Sequence, residues 1–199
     1  MKQNKANAKN AGDKRKEKIL KIATRLFADK GYHNATLDEI ARKLKITRAA
    51  LYYYVPGKGQ IIHEIMERCM ARMNKAISLG DSSLPPKELL HQFITYHIEF
   101  SAESADESKI LFEQTQALPK AFRAEVQSKK RAVNNSLQNI LRQGVKEGVF
   151  AIKDIKTTSF GILGLCNWTY HWYKPSGKLT PQEIAELFID MLEKGYLKK

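Results

Sequence analysis

Two cysteines are all this 199-residue chain contains, Cys69 and Cys166. A pair so far apart supports neither a disulfide framework nor a cysteine-built metal site. Long apolar runs are missing too: nothing approaches the roughly 18 uninterrupted apolar residues of a membrane span. The opening stretch, MKQNKANAKNAGDKRKEK, lacks the apolar segment of a secretory signal, so a cytoplasmic location is expected. Glycine-rich phosphate loops and nucleophile motifs are absent. His33, His63, His91, His97 and His171 are scattered, with only His63-Glu64 loosely near metal-ligand spacing. These absences argue against an enzyme and against a resident metal or cofactor.

Negative charge is the other scarcity. Lys and Arg number 34 against 21 Asp and Glu, a formal charge of +13. Residues 1–60 hold 15 basic against 5 acidic side chains, and the remainder 19 against 16. One end of the chain is therefore built to meet a polyanion. Nucleic acid, an anionic membrane surface or solubility alone could explain such a basic end. A membrane-surface helix would need a broad apolar face opposite its lysines, so no membrane partner is expected. Residues 1–13 read as a flexible basic arm, or simply as a solvated tail.

What the chain does have is helical spacing nearly everywhere, with no credible alternating strand. Ile19, Ile22, Ala23, Leu26 and Phe27 form one stripe, which Gly31 ends. Thr36 with Glu39 makes a capping-box pattern for a second helix, whose inner face is Leu37, Ile40, Ala41 and Leu44. Thr47 caps a third, ended by Pro56 and Gly57. Longer helices are expected from about Gly59 to Leu79, Lys87 to Ala102, Asp106 to Leu118 and Pro119 to Lys146. The sequence LGDSSLPP separates the first two of these. Thr157–Tyr173 is apolar almost all round, which predicts burial on more than one side. A last helix starts at Thr180-Pro181 with Glu183 as capping partner. The expected fold is all-α: a flexible arm (1–13), a three-helix basic unit (14–62) and a larger helical body (63–199).

Two short helices joined by a tight turn, the second of them basic, describe a helix-turn-helix. Leu37, Ile40, Leu44, Ile46 and Leu51 would lock these helices against the first, leaving Arg48 and Ala49 outside. Alanine lets the backbone approach base edges, and arginine makes a bidentate contact to guanine worth about 1–3 kcal/mol of discrimination. In the run Tyr52-Tyr53-Tyr54, successive side chains point about 100° apart, so one core cannot take all three. Tyr52 is expected to pack with its ring, and Tyr53 and Tyr54 to face outward as phosphate donors. The N–H groups of the second helix, capped by Thr36, offer a further phosphate seat, and Lys58 another.

The stretch ILKIATRLFADKGYHNATLDEIARKLKITRAALYYYV followed by GK resembles the DNA-binding domain of the tetracycline-repressor (TetR) family. The matching residues are Ile19, Ala23, Leu26, Phe27, Gly31, Tyr32, Thr36, Ile40, Ala41, Thr47, Leu51, Tyr52 and Lys58. The resemblance implies a homodimeric repressor of an operator, released by a small hydrophobic effector. It puts Thr47, Arg48, Ala49, Tyr52 and Tyr53 on the recognition helix, with Tyr54 and Lys58 on phosphates. Lys45 stands where the family usually has the turn glycine, adding a charge near DNA.

In TetR-like proteins the second domain holds the effector and makes the dimer. Here that implies the last two helices pairing across a two-fold axis through Phe160, Leu163, Trp172, Leu187, Phe188 and Met191. A monomer with a central core helix is the alternative. Gly161–Tyr196 is similar to the end of TetR-type regulators that respond to acyl-CoA thioesters and control lipid degradation. Phe93, Phe100, Phe112, Leu163 and Trp168 would line an apolar tunnel, and Arg123, Lys130 and Arg131 would meet CoA phosphates. A cationic-drug effector, as in efflux-pump repressors, would instead want buried carboxylates, for which Glu99, Glu103 and Glu113 are the candidates. A basic helical adaptor, or an enzyme without a recognisable motif, is the alternative of a different class.

Overall fold

Helices make up every regular element among the described residues of the computed structural model, which are 2–79 and 83–194, with side chains from residue 12 on. In order they are α1 (Lys2–Lys30), α2 (Leu37–Lys43), α3 (Arg48–Tyr54), α4 (Lys58–Leu79), α5 (Pro86–Glu103), α6 (Ala105–Glu113), a 3₁₀ turn (Thr115–Ala117), α7 (Lys120–Lys146), α8 (Ile155–Asn167), α9 (Thr169–Trp172) and α10 (Pro181–Lys194). Part of the expected break at LGDSSLPP, residues 80–82, lies outside the described residues. The expectation of a flexible arm over 1–13 is corrected, because α1 already begins at Lys2. Lys, Gln and Ala are good helix formers, and Gly12 costs a helix interior only about 1 kcal/mol.

The chain divides into two units, Met1–Cys69 with Lys109–Ala124, and Met70–Ser108 with Glu125–Lys199. The boundary expected at residue 62 thus falls later, inside α4, and a distant segment joins the first unit. In that unit α1 buries Ile19, Leu20, Ala23, Leu26 and Phe27, close to the stripe the sequence predicts. Ile40, Leu51 and Val55 close the same core from α2 and α3. Each large side chain so buried stabilises the unit by roughly 1.5–3 kcal/mol.

The turn between α2 and α3 explains how Lys45 fits. The N–H of Ile46 donates to the Ala41 carbonyl at 3.0 Å and that of Lys45 to Arg42 at 3.1 Å. This pair of bonds is the Schellman ending of a helix, and it demands a left-handed residue after the cap. Lys45 is that residue, with φ 54°, the sole described non-glycine with positive φ.

In the second unit α5 is central, packing against α8, α9 and α10. Leu89, Phe93, Ile94 and Ile98 fill its buried side. The expected single helix over Thr157–Tyr173 is instead α8 and α9 meeting at Trp168. Within the single chain α8 buries Ser159, Ile162 and Cys166, whereas Phe160 stays 54% exposed. Nor does α10 bury its whole stripe. Ile184 and Ala185 are inside, but Leu187 is 55% exposed and Met191 and Leu192 are also open.

Candidate nucleic-acid interface

Seen from its own axis, α3 is a two-sided helix. Thr47 caps it, its hydroxyl accepting from the Ala50 N–H at 3.1 Å. Leu51 and Val55 are fully buried beneath. Arg48, Ala49, Tyr52 and Tyr53 share the open side, at the i, i+1, i+4 and i+5 spacing of one helical face. Tyr53 is 86% exposed and Tyr52 43%. The tyrosine assignment is therefore corrected: Leu51 takes the core place, Tyr52 turns outward, and Tyr54 is half-buried. The Tyr54 ring stands edge-on to Tyr53 at 5.2 Å, because the position two residues before Pro56 has already rotated away from the open face.

Arg48 is held rather than free. One guanidinium nitrogen donates to the Asp38 carboxylate at 3.0 Å and the other to the Tyr52 hydroxyl at 3.2 Å. The Tyr52 hydroxyl and then the Asp38 charge push the Arg48 pKa up, so the cation is permanent. Asp38 played no part in the sequence reading, and its ten-residue separation from Arg48 left no local signal.

At the two further seats expected for phosphate, other groups of the chain take up donors. The Thr36 N–H donates to the Glu39 carboxylate at 3.1 Å, and the Glu39 N–H donates to the Thr36 hydroxyl at 3.2 Å. Glu39 also pairs with Lys30, which with Thr36 holds its carboxyl below the usual range. A carboxylate at the start of α2 repels the phosphate that Thr36 was expected to seat. Lys58 points inward. Its ammonium donates to the carbonyls of Tyr32 (2.8 Å), His33 (3.1 Å) and Ala35 (3.1 Å) and lies over the Tyr32 ring. All three of its donors are thus spent on the loop after α1, and it serves as a structural clamp. Lys45 is exposed beside α3, as expected.

The effector candidates are divided between the two units. Phe112 and Arg123 lie in the first unit, and Arg123 donates to the Gln116 carbonyl at 3.4 Å. Phe93 is buried and stacked on His97 at 5.0 Å, and Phe100 lies under the Arg72 guanidinium at 4.8 Å. Lys130 is half-buried, which pushes its pKa down, and Arg131 is exposed. Leu163 is half-buried, while Trp168 is exposed with its ring against His171 at 4.0 Å. A cavity of about 500 Å³ in the second unit is lined by Ile94, Leu141, Phe150, Ile162 and Ile189 among others, with Lys87, His91 and Glu193 as its charged and polar neighbours.

Sequence reasoning missed a polar feature of the second unit's interior. The side-chain oxygens of Ser101, Ser108, Asn134, Asn167 and Thr169 are buried without a hydrogen-bond partner. Burial brings the His97 imidazole down to about 4, so it is neutral. Among the described residues no Asp, Glu, Lys or Arg is buried, and no group of three or more His, Cys, Asp or Glu could hold a metal. No described helix is long and apolar enough to cross a membrane.

Of the expected dimer residues, Phe160, Trp172, Leu187 and Met191 are exposed in the single chain. Leu163 and Phe188 are half-buried, and the Phe188 ring meets Trp172 edge-on at 6.4 Å.

Comparison with known proteins agrees with this geometry at both ends of the chain. Residues 19–65 match the family model of bacterial regulatory proteins of the tetR family, and residues 83–196 that of the tetracyclin repressor-like C-terminal domain. The uncharacterized HTH-type transcriptional regulator YhgD of Bacillus subtilis is 26% identical over 183 residues, 91% of this chain and 96% of that protein. IcaR of Staphylococcus aureus, the negative transcriptional regulator of the biofilm operon icaADBC, is 29% identical over 61% of this chain and 64% of its own. AibR, solved in complex with isovaleryl coenzyme A and operator DNA, is 28% identical with a TM-score of 0.75, covering 89% of this chain and 97% of that one. A TetR/AcrR-family regulator from Thermobifida fusca is 26% identical with a TM-score of 0.69, covering 93% and 100%. These relatives are regulators and not enzymes. The chain belongs to the TetR family of bacterial transcriptional regulators.

Proposed function

We propose that this chain is a homodimeric repressor that binds a two-fold operator through α3 and is released by an acyl-CoA thioester, controlling genes of lipid degradation. The observation that carries the DNA half is the open face of α3, where Arg48, Ala49, Tyr52 and Tyr53 stand over a buried Leu51 and Val55. Such a face suits the major groove, with base contacts from Arg48 and phosphate contacts from tyrosine hydroxyls. The apolar residues that α8, α9 and α10 leave exposed support pairing with a second copy, since patches of this kind mark interaction sites.

The buried side chains of the second unit, none of them charged among the described residues, support the effector half. Neutral His97, Ser101 and Thr169 are buried polar groups suited to a carbonyl or hydroxyl on an apolar chain, such as a thioester. A cationic drug finds less support, because Glu103 and Glu113 are exposed and Glu99 half-exposed. AibR, similar over most of its length, holds both isovaleryl coenzyme A and operator DNA. Arg131, exposed on α7, is available for CoA phosphates.

Native mass spectrometry of the purified protein tests both halves at once. A dimer that takes up isovaleryl- or palmitoyl-CoA is expected, and a monomer, or a dimer that binds neither, refutes the corresponding half.

A further inference from the structure

We infer that Asp38 is a positioning residue for DNA reading: it braces the Arg48 guanidinium across the helix-turn-helix and so sets which base that arginine accepts. The inference rests on the reading of Arg48 as a base contact and goes beyond it, because Asp38 touches no base itself.

Three observations carry it. Asp38 lies in the first turn of α2 and Arg48 in the first turn of α3, and their side chains meet at 3.0 Å. The second guanidinium nitrogen is held by the Tyr52 hydroxyl at 3.2 Å, and the guanidinium carbon sits 5.6 Å from the Tyr52 ring centroid. The long arginine side chain is thus fixed at two points from two helices before any ligand arrives. An arginine carries five N–H donors, so two such bonds leave donors over for a base edge. Fixing the fork beforehand reduces the rotamer freedom lost on binding, and it makes a wrong base harder to accommodate.

The second consequence is electrostatic. Asp38 and Arg48 are both well exposed, at 64% and 55% of their side chains, so the pair adds little to folding. A carboxylate on a surface otherwise built for polyanions lowers affinity for phosphate in general. Its cost falls equally on all sequences, whereas its bracing helps only the sequence that Arg48 reads. Selectivity therefore rises through the bracing, while the uniform cost lowers overall affinity.

The test uses full-length protein and duplexes selected from a random-sequence library, with a scrambled duplex as reference. D38N, R48A and the double variant are titrated by fluorescence anisotropy, and melting is measured on each. R48A is expected to abolish preference at one base position per half-site. D38N is expected to melt like the parent, to lose about two- to fivefold discrimination at that same position and to bind the scrambled duplex more tightly. In the R48A background D38N should change selectivity no further. If R48A leaves selectivity intact, the base-reading role of Arg48 falls and the brace with it. If R48A acts as expected but D38N does not alter selectivity at that position, the brace alone is refuted. A gain in selectivity with D38N would make Asp38 a lock on Arg48, and an altered preference at another base would make it a direct reader. Either result overturns the proposal.

Discussion

Both α3 and α10 bury one stripe and leave another in solvent, but what they leave out differs in kind. On α3 the open side carries Arg48, held by Asp38 and Tyr52, between an alanine and two tyrosines. On α10 it carries Leu187, Met191 and Leu192. An exposed polar face whose groups are already bonded is stable in water and can add a ligand's bonds through the donors left over. An exposed apolar face is unfavourable until something covers it. The first suits a wet, charged partner such as DNA, and the second suits the copy of the chain that the proposed dimer supplies.

The sharpest way to break this contrast is to charge the apolar face. Leu187→Glu should put two carboxylates in the dimer seam, costing about 2–4 kcal/mol of association. Sedimentation should then show monomer at micromolar concentration, and operator binding should fall about 30- to 700-fold. A dimer that survives the change would place the seam elsewhere.

His97 tests the interior next to that face. The folded chain keeps it neutral down to about pH 4, whereas the unfolded chain protonates near the ordinary 6.5. The unfolded state therefore binds the extra proton, and stability is full above about pH 6.5 and lost as pH falls toward 4. The loss should reach up to about 3 kcal/mol. Urea denaturation at pH 7 and pH 4.5 should show that slope, and His97→Leu should flatten it.

On the DNA side, Lys58→Met keeps the aliphatic stem but leaves three carbonyls without their donor. It should destabilise the first unit by about 1–3 kcal/mol and leave the salt dependence of operator binding unchanged. A salt slope reduced by about one would restore Lys58 as a phosphate contact. The smallest effect is at the turn. Lys45→Gly removes left-handed strain and should raise thermal stability by about 0.5–1 kcal/mol, net of glycine's greater entropy loss.

How far these regions were legible in the sequence follows from the range of the interactions that shape them. Thr36, Glu39 and Thr47 are capping residues whose partners lie three positions away, so α2 and α3 could be read directly. Lys45 was legible because a Schellman turn needs a left-handed residue whatever its side chain. Lys58 was not, since its carbonyl partners lie 23 to 26 residues upstream and are free only because α1 ends there. The arginine at 48 was recognised, but its brace from Asp38 depends on the angle between two helices. For Phe160 and Leu187 the apolar spacing was legible, but periodicity marks a face without saying whether the covering surface belongs to the same chain. The effector residues fared worst. Phe112 and Arg123 were grouped with the helical body by chain position, whereas residues 109–124 belong to the first unit.

The central claim is a dimeric DNA reader uncoupled from its operator by a thioester, and one titration addresses it directly. Labelled duplex selected by the protein is titrated with and without saturating acyl-CoA, and the stoichiometry is read from the break point at high duplex concentration. Protomers should bind in even numbers and acyl-CoA should lower affinity about 5- to 150-fold, with DNA weakening acyl-CoA binding by the same factor. A single protomer per duplex, or an affinity that acyl-CoA leaves unchanged, would contradict it.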